Sequence, residues 1–89
     1  MPHLAFTAQL QRFTRTPEFH TTATTLGEAL EAAFAINPQL RHYVLDEQGH
    51  LRPHVVVFIE GRRASDRETL TDALGPDDRV YVLQALTGG

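Results

Sequence analysis

An apolar run in residues 54–60 is the feature that most constrains how this chain folds. Its middle consists of three valines, a phenylalanine and an isoleucine in succession. Branched and aromatic side chains favour strands, and so short a run does not make a typical helix. Because side chains alternate between the two faces of a strand, Val56 and Phe58 lie on the face opposite to their odd-numbered neighbours. The run therefore predicts a strand, ended by Gly61, with apolar side chains on both faces.

One amphipathic helix is predicted between this strand and the N-terminal region. Thr25 fits the N-cap position, and Glu28 is placed to reach back as in a capping box. Pro38 prevents the helix from continuing much further. Apolar residues recur at helical spacing at Leu26, Leu30, Ala33 and Phe34, with Asn37 as a further candidate for the same face. The pattern predicts a helix of about three turns whose apolar stripe belongs to the core.

The remaining segments predict further strands. Period-2 alternation indicates a strand over residues 3–13 and a second over 18–23, which together form a probable hairpin. A short strand is expected around 63–64 and a final one over 79–86, while residues 40–45 are interpreted as a turn or 3₁₀ piece that leads into an extended segment. The order is strand, strand, helix, strand, short strand, strand. It predicts a two-layer α+β domain, and the sheet is mixed if the last strand lies beside the first.

Composition excludes several classes of protein. The chain has 89 residues, no cysteine and a net charge of −3, with eight arginines and no lysine. One domain is expected, without disulfides, without a nucleic-acid-binding basic face and without a bound metal. No run approaches the length of a membrane span and the N-terminus lacks a signal-peptide pattern, so a cytoplasmic location is expected. Without lysine, copies of this chain cannot link to one another through lysine side chains.

Four stretches of the sequence resemble one protein family. They are Thr-Leu-Gly-Glu-Ala-Leu at 25–30, Leu-Arg-Pro-His-Val-Val-Val-Phe-Ile-Glu-Gly at 51–61, Asp-Asp-Arg-Val-Tyr-Val at 77–82 and Thr-Gly-Gly at 87–89. In order, spacing and total length the chain resembles the MoaD/ThiS family of ubiquitin-like sulfur carriers. The resemblance implies a single ubiquitin-like β-grasp domain over residues 1–89, a mixed sheet packed on one main helix, with a flexible tail at 87–89.

Two departures from the family pattern bear on the pathway. Many members carry asparagine where this chain has Glu60, and members of the molybdopterin pathway usually have proline at the position of Gln84 or Ala85. The Leu-Arg-Pro-His stretch is closest to a group that includes carriers used in cysteine synthesis. Cysteine, thiamine, molybdopterin and related pathways all remain open from the sequence.

The resemblance assigns the chemistry to the C-terminal tail. It implies that an ATP-dependent activating enzyme adenylates the carboxylate of Gly89 and that sulfur then converts it to a thiocarboxylate for a biosynthetic enzyme. Thr87 would act as a spacer after the last strand, and Gly88 would give the tail access, because a residue without a Cβ can pass through a narrow pocket. The chain itself is expected to be a co-substrate and not an enzyme. It would bind no cofactor, since the ATP belongs to the partner.

A docking surface for the partners is predicted on the sheet. If one face of the strands packs on the helix, Val56, Phe58, Tyr81 and Leu83 lie together on the other face, and exposed apolar patches of this kind usually mark interaction sites. The alternative is that the strands are apolar on both sides and that loops partly cover these residues. The free protein is expected to be a monomer.

Two other functions fit the same sequence. In the first, the chain is a ubiquitin-like modifier whose Gly89 becomes amide-linked to lysines of target proteins. In the second, it is a β-grasp interaction module whose terminal glycines take part in no reaction. The tail alone does not separate these functions from that of a sulfur carrier.

Overall fold

The computed structural model describes residues 1–7 and 16–84. Within them the chain forms five strands and two helices, which we number in chain order: β1 (His3–Phe6), β2 (Phe19–His20), α1 (Leu26–Ile36), α2 (Leu40–Val44), β3 (Val55–Ile59), β4 (Arg62–Arg63) and β5 (Arg79–Gln84). Residues 8–13 of the first predicted strand and the tail residues 87–89 lie outside the described residues.

The five strands form one mixed sheet in the order β2-β1-β5-β3-β4. The central pair, β1 and β5, is parallel, with Leu4 beside Val80 and Phe6 beside Val82. The other three pairs are antiparallel. The predicted α+β class, the hairpin of the first two strands and the position of the last strand beside the first are confirmed. This arrangement is the β-grasp topology that the resemblance implied.

Helix α1 begins and ends as local sequence dictates, with one difference at its first turn. The hydroxyl of Thr25 accepts a hydrogen bond from the backbone N–H of Glu28 at 3.3 Å, so Thr25 is the N-cap. The carboxylate of Glu28, however, accepts from the backbone N–H of Thr24 at 2.9 Å and from its hydroxyl at 3.0 Å. The reciprocal bond thus falls one residue earlier than a standard capping box places it. These bonds lower the pKa of Glu28.

Residues 40–44 form a helix and not the predicted turn or 3₁₀ piece, whereas Leu45 is extended, as predicted, and bridges to Leu51. Helix α2 has no side-chain cap at Gln39, and its first turn contains no acidic residue. It buries Leu40 and Val44 completely, so packing against the core stabilises a helix that local sequence hardly favours. The guanidinium of Arg41 in α2 forms an ion pair with the carboxylate of Glu31 in α1, and one of its hydrogen bonds to that carboxylate is 2.8 Å long.

The second strand is also shorter than the sequence predicts. β2 is confined to Phe19–His20 instead of 18–23. After β2 the backbone N–H of Thr21 still bonds to the carbonyl of Pro2 at 2.8 Å. The chain then turns toward the N-cap of α1, which ends the ladder.

The core lies between α1 and one face of the sheet. It contains the predicted helical stripe, the odd-numbered residues of β3 and the even-numbered residues of β1 and β5: Leu26, Leu30, Ala33, Phe34, Val55, Val57, Ile59, Leu4, Phe6, Val80 and Val82. Leucines from the connecting segments complete it: Leu40, Leu45, Leu51, Leu70 and Leu74. One face of the sheet is thereby covered, and the opposite face is left for other contacts.

Candidate docking face and tail

The face of the sheet that points away from α1 carries the four predicted docking residues. Val56 lies opposite Leu83 and Phe58 lies opposite Tyr81 in the antiparallel register of β3 and β5. Residues that face each other across such a pair have their side chains on the same side. We call these four residues the apolar patch.

The apolar patch is open to solvent to different degrees. Tyr81 is 44% exposed, while Val56, Phe58 and Leu83 are half-buried. By contrast, the intervening Val57 and Val82 are 1% and 0% exposed. The apolar side chains on both faces of these strands therefore divide into a core set and a surface set, as alternation predicts. The binding role of the surface set stays a prediction.

The patch lies at the end of the sheet from which the tail leaves. Gln84, the last described residue of β5, pairs with Val55, the first residue of β3. The Val56–Leu83 pair is thus one step from Gln84 and four residues before Thr87, where the tail begins. The six residues from Gln84 to Gly89 span at most about 20 Å when fully extended. An enzyme that held the patch would have to place its reactive centre within that distance of Leu83.

Gln84 itself carries an unpaired polar atom. Its side-chain Oε1 is buried and has no hydrogen-bond partner among the described residues, although its backbone N–H bonds to the hydroxyl of Thr7 at 3.4 Å. Leaving a buried acceptor unpaired costs about 1–3 kcal/mol. Where the resemblance leads us to expect proline in the molybdopterin branch, this chain thus has a polar side chain that can accept a hydrogen bond.

The opposite end of the same face is polar. His3 lies beside His20, with ring centroids 4.9 Å apart, and its Nε2 is 3.1 Å from a carboxylate oxygen of Glu18. Near them the N-terminal amine is 3.8 Å from Asp77. The charged groups at this end therefore neutralise one another in pairs.

Glu60 and Arg79 link the polar end to the patch. The backbone N–H of Arg79 donates to the carboxylate of Glu60 at 2.8 Å, and the Arg79 Nε lies 3.7 Å from the same oxygen. A shallow depression runs from this pair along Phe58, Tyr81 and Leu83. It is too open to enclose a small molecule and is better suited to contact with another protein surface.

One charged residue of this face was not singled out by the sequence. Arg63 in β4 lies opposite Phe58, so its side chain starts on the same face as the patch. Counting alternate residues places Arg63 there only once the turn at Glu60 and Gly61 is known to have two residues, which the register of β3 and β4 shows. The sequence prediction stopped the strand at Gly61 and treated the next strand separately.

Metal binding and membrane insertion were also considered. Residues 1–7 and 16–84 hold no group of three or more His, Cys, Asp or Glu side chains arranged as metal ligands. None of the helices in that part of the chain has the length and apolarity needed to cross a membrane.

Comparisons with known proteins agree with this architecture. Residues 4–89 match the model of a family described as the ThiS family, whereas no curated protein matches the sequence. The crystal structure of SAMP1 from Haloferax volcanii is 25% identical, with a TM-score of 0.77 over 99% of this chain and 98% of that one.

Two further structures are similar in fold. A chain of the Amycolatopsis orientalis BexX/CysO complex has a TM-score of 0.80 at 13% identity, with 100% of both chains covered. The Haloferax volcanii protein HVO 2177 has a TM-score of 0.66 at 24% identity, covering 99% of this chain and 85% of that one. At these identities the likeness concerns the ubiquitin-like β-grasp fold alone.

Proposed function

This chain belongs to the ThiS family, and from that premise we propose that it carries sulfur as a thiocarboxylate on Gly89. The family match over residues 4–89 carries the proposal, because it includes the Thr-Gly-Gly tail as well as the folded domain. Membership makes the chain a ubiquitin-like carrier of the β-grasp class. The route by which it is loaded, and the enzyme that it serves, are the substance of the proposal.

The proposed chemistry divides between the carrier and an activating enzyme. A carboxylate oxygen of Gly89 attacks the α-phosphate of ATP, which releases pyrophosphate and leaves an acyl-adenylate. Hydrosulfide then attacks the acyl carbon and displaces AMP, giving the thiocarboxylate. The activating enzyme binds ATP and supplies the catalytic groups. The carrier is the co-substrate and later donates its sulfur to a biosynthetic enzyme.

The carrier contributes recognition and access. The apolar patch adjoins the beginning of the tail, so an enzyme that covers the patch also receives the chain end within about 20 Å. Gly88 and Gly89 have no Cβ, which lets the backbone pass close to the walls of a narrow channel. Docking of Val56, Phe58, Tyr81 and Leu83 would thus set where the carboxylate arrives.

A second function is favoured by the likeness to SAMP1, since a related structure of the same protein is described as a small archaeal modifier protein. In that case Gly89 would form amide bonds with lysines of other proteins. The two functions share the adenylation step and differ in the acceptor. Higher-mass adducts on other host proteins, joined through Gly89 to lysine, would identify a modifier, and a free thiocarboxylate would identify a carrier.

Substitution of Gly89 tests the proposed reaction. We expect Gly89→Ala to slow ATP–pyrophosphate exchange catalysed by the host's adenylating enzyme about a hundredfold, because a misplacement of about 1 Å at a reacting atom costs that much. The unfolding midpoint should not change, since none of the described core residues is altered. Exchange at the wild-type rate with the alanine variant would refute the access argument.

A further inference from the structure

The arginine at the edge of the apolar patch carries an inference that rests on the proposed function. Arg63 and its neighbour Arg62 form β4, the short edge strand of the sheet, and both are exposed. Arg63 lies opposite Phe58, a patch residue, whereas Arg62 lies opposite Ile59, a core residue. Because adjacent strand residues point to opposite sides, only Arg63 faces the surface that the patch occupies.

The charge of Arg63 is uncompensated within the described part of the chain. Neither a salt bridge nor a side-chain hydrogen bond joins it to residues 1–7 or 16–84. The nearest acid in sequence, Glu60, is already engaged by Arg79 through its carboxylate. Near this face His3 lies 3.1 Å from Glu18, and the N-terminal amine lies 3.8 Å from Asp77.

The positive charge of Arg63 is opposite in sign to the net charge of the whole chain. The net charge is −3, so at a distance the protein repels acidic surfaces. An unpaired arginine beside an exposed apolar patch reverses that preference at short range, where a rim charge contributes to the choice of partner and to the rate of encounter. Guanidinium groups also pair with carboxylates in a fixed, two-bonded geometry that a contact surface can exploit.

We propose that the surface which docks on the apolar patch carries a carboxylate beside its apolar contact, and that Arg63 binds it. The occupant is the adenylating partner of the proposed reaction. Arg63 would thereby be a specificity-determining residue of docking. It lies on the far side of Phe58 from the strand that leads to the tail and would have no part in the chemistry at Gly89.

The two neighbouring arginines provide a matched test. The probe is the host's adenylating enzyme, identified by ATP–pyrophosphate exchange that depends on this protein. We expect Arg63→Glu to raise the KM for the carrier about tenfold with kcat unchanged, because a like charge would then face the partner's carboxylate. Arg62→Glu makes the same charge change on the same strand and should leave the KM within about twofold.

Two further measurements separate a specific contact from general electrostatics. Arg63→Lys keeps the charge but not the two-bonded geometry, so its KM should lie between those of the wild type and Arg63→Glu. The increase of KM with added salt, strong in the wild type, should be lost in Arg63→Glu, because the attraction that salt screens is then absent. Equal unfolding midpoints of all variants would exclude a folding defect as the cause.

Three results would overturn the inference. The first is an equal effect of Arg62→Glu and Arg63→Glu on the KM, and the second is no effect of either. The third is a free protein that sediments as a dimer and becomes a monomer when Arg63→Glu is introduced. A second copy of this chain, and not the adenylating enzyme, would then be the partner that docks on the apolar patch. In each case exchange supported by the wild type would leave the proposed function intact. Absence of exchange with the wild type would instead refute the proposed function, and this inference with it.

Discussion

Two adjacent residues turn β3 back into β4, and both adopt a left-handed backbone. The φ angle is 49° at Glu60 and 79° at Gly61. Two-residue hairpin turns of this kind favour asparagine at the first position and glycine at the second, because these residues tolerate positive φ. Glutamate at the first position is therefore strained. Its carboxylate, bonded to the N–H of Arg79 at 2.8 Å, ties the turn to β5.

Substitution of Gly61 should reveal the backbone requirement at this turn. A Cβ there would meet no atom within 4 Å, so the cost of Gly61→Ala comes from conformation and not from a clash. We expect a loss of about 1–2 kcal/mol in the free energy of unfolding, measured by urea denaturation. Gly61→Asn should lose less, because asparagine tolerates the left-handed region. Equal losses for the two variants would contradict this explanation.

The sequence predicted the turn but not its consequence for the face of the sheet. The glycine and the end of β3 were predictable, because they depend on local conformation alone. The position of Arg63 opposite Phe58 depends on the number of residues in the turn. The hydrogen bond between Glu60 and Arg79 depends on the pairing of β3 with β5. Both relations join residues through tertiary structure.

At the scale of elements, a polar loop completes the N-terminus of α1. The backbone N–H of Leu26 bonds to the carbonyl of Asp72 and that of Gly27 to the carbonyl of Leu70, both at 2.9 Å. These two donors belong to the first turn of the helix, whose N–H groups have no partner within the helix. The loop therefore replaces the water that would otherwise bind there.

The carboxylates of Asp66 and Asp72 hold the loop in shape. Asp66 accepts hydrogen bonds from the hydroxyls of Thr69 and Thr71, the latter at 2.6 Å, and from the backbone N–H groups of Glu68 and Thr69 at 3.1 and 3.0 Å. The bond from the Thr69 hydroxyl is the largest of the causes that lower the pKa of Asp66 well below the usual range of an aspartate. The ionised form is thus favoured in the folded protein.

The pH dependence of stability follows from this lowered pKa. An unfolded aspartate has a pKa of about 3.9, so the stabilisation from Asp66 is complete above that pH and is lost as the pH falls toward the lower folded value. We expect Asp66→Asn to be less stable than the wild type at pH 7, with a difference that narrows as the pH falls below about 4. Urea denaturation at several pH values measures it. A difference that stays constant or widens in acid would contradict the assignment.

The two helices show which elements local sequence can specify. Helix α1 has an N-cap, an apolar stripe and a following proline, all within its own residues, so its existence and length were predictable. Helix α2 has only five residues and no side-chain cap. It forms because Leu40 and Val44 pack into the core, which is information that the segment itself does not contain. The loop that completes α1 could likewise be predicted only to be polar. Its hydrogen bonds to the first turn of α1 could not be predicted, because they join residues some 45 positions apart in the chain.

At the scale of the whole molecule, the sheet connects recognition to the chain end. β5 is a central strand, paired with β1 on one side and β3 on the other. It contributes Tyr81 and Leu83 to the exposed apolar patch and then leads directly into the tail. Under the proposed function, a partner that holds the patch therefore also holds the strand that precedes Gly89 by five residues.

The sequence alone was enough to place the patch on one face of the sheet, because alternation in β3 and β5 is a local property. Its position at the end from which the tail leaves required the register that pairs Val56 with Leu83. The chemistry of Gly89 came from the family resemblance, now supported by the match over residues 4–89, and not from geometry.

The central claim is that the carboxylate of Gly89 becomes loaded with sulfur. Intact-mass spectrometry of the protein isolated from its own host tests this most directly. The account predicts a population heavier than the unmodified chain by the difference between one sulfur and one oxygen atom, and predicts that this population disappears from the Gly89→Ala variant. Only the unmodified mass, or a sulfur-bearing mass that persists in that variant, would contradict the account.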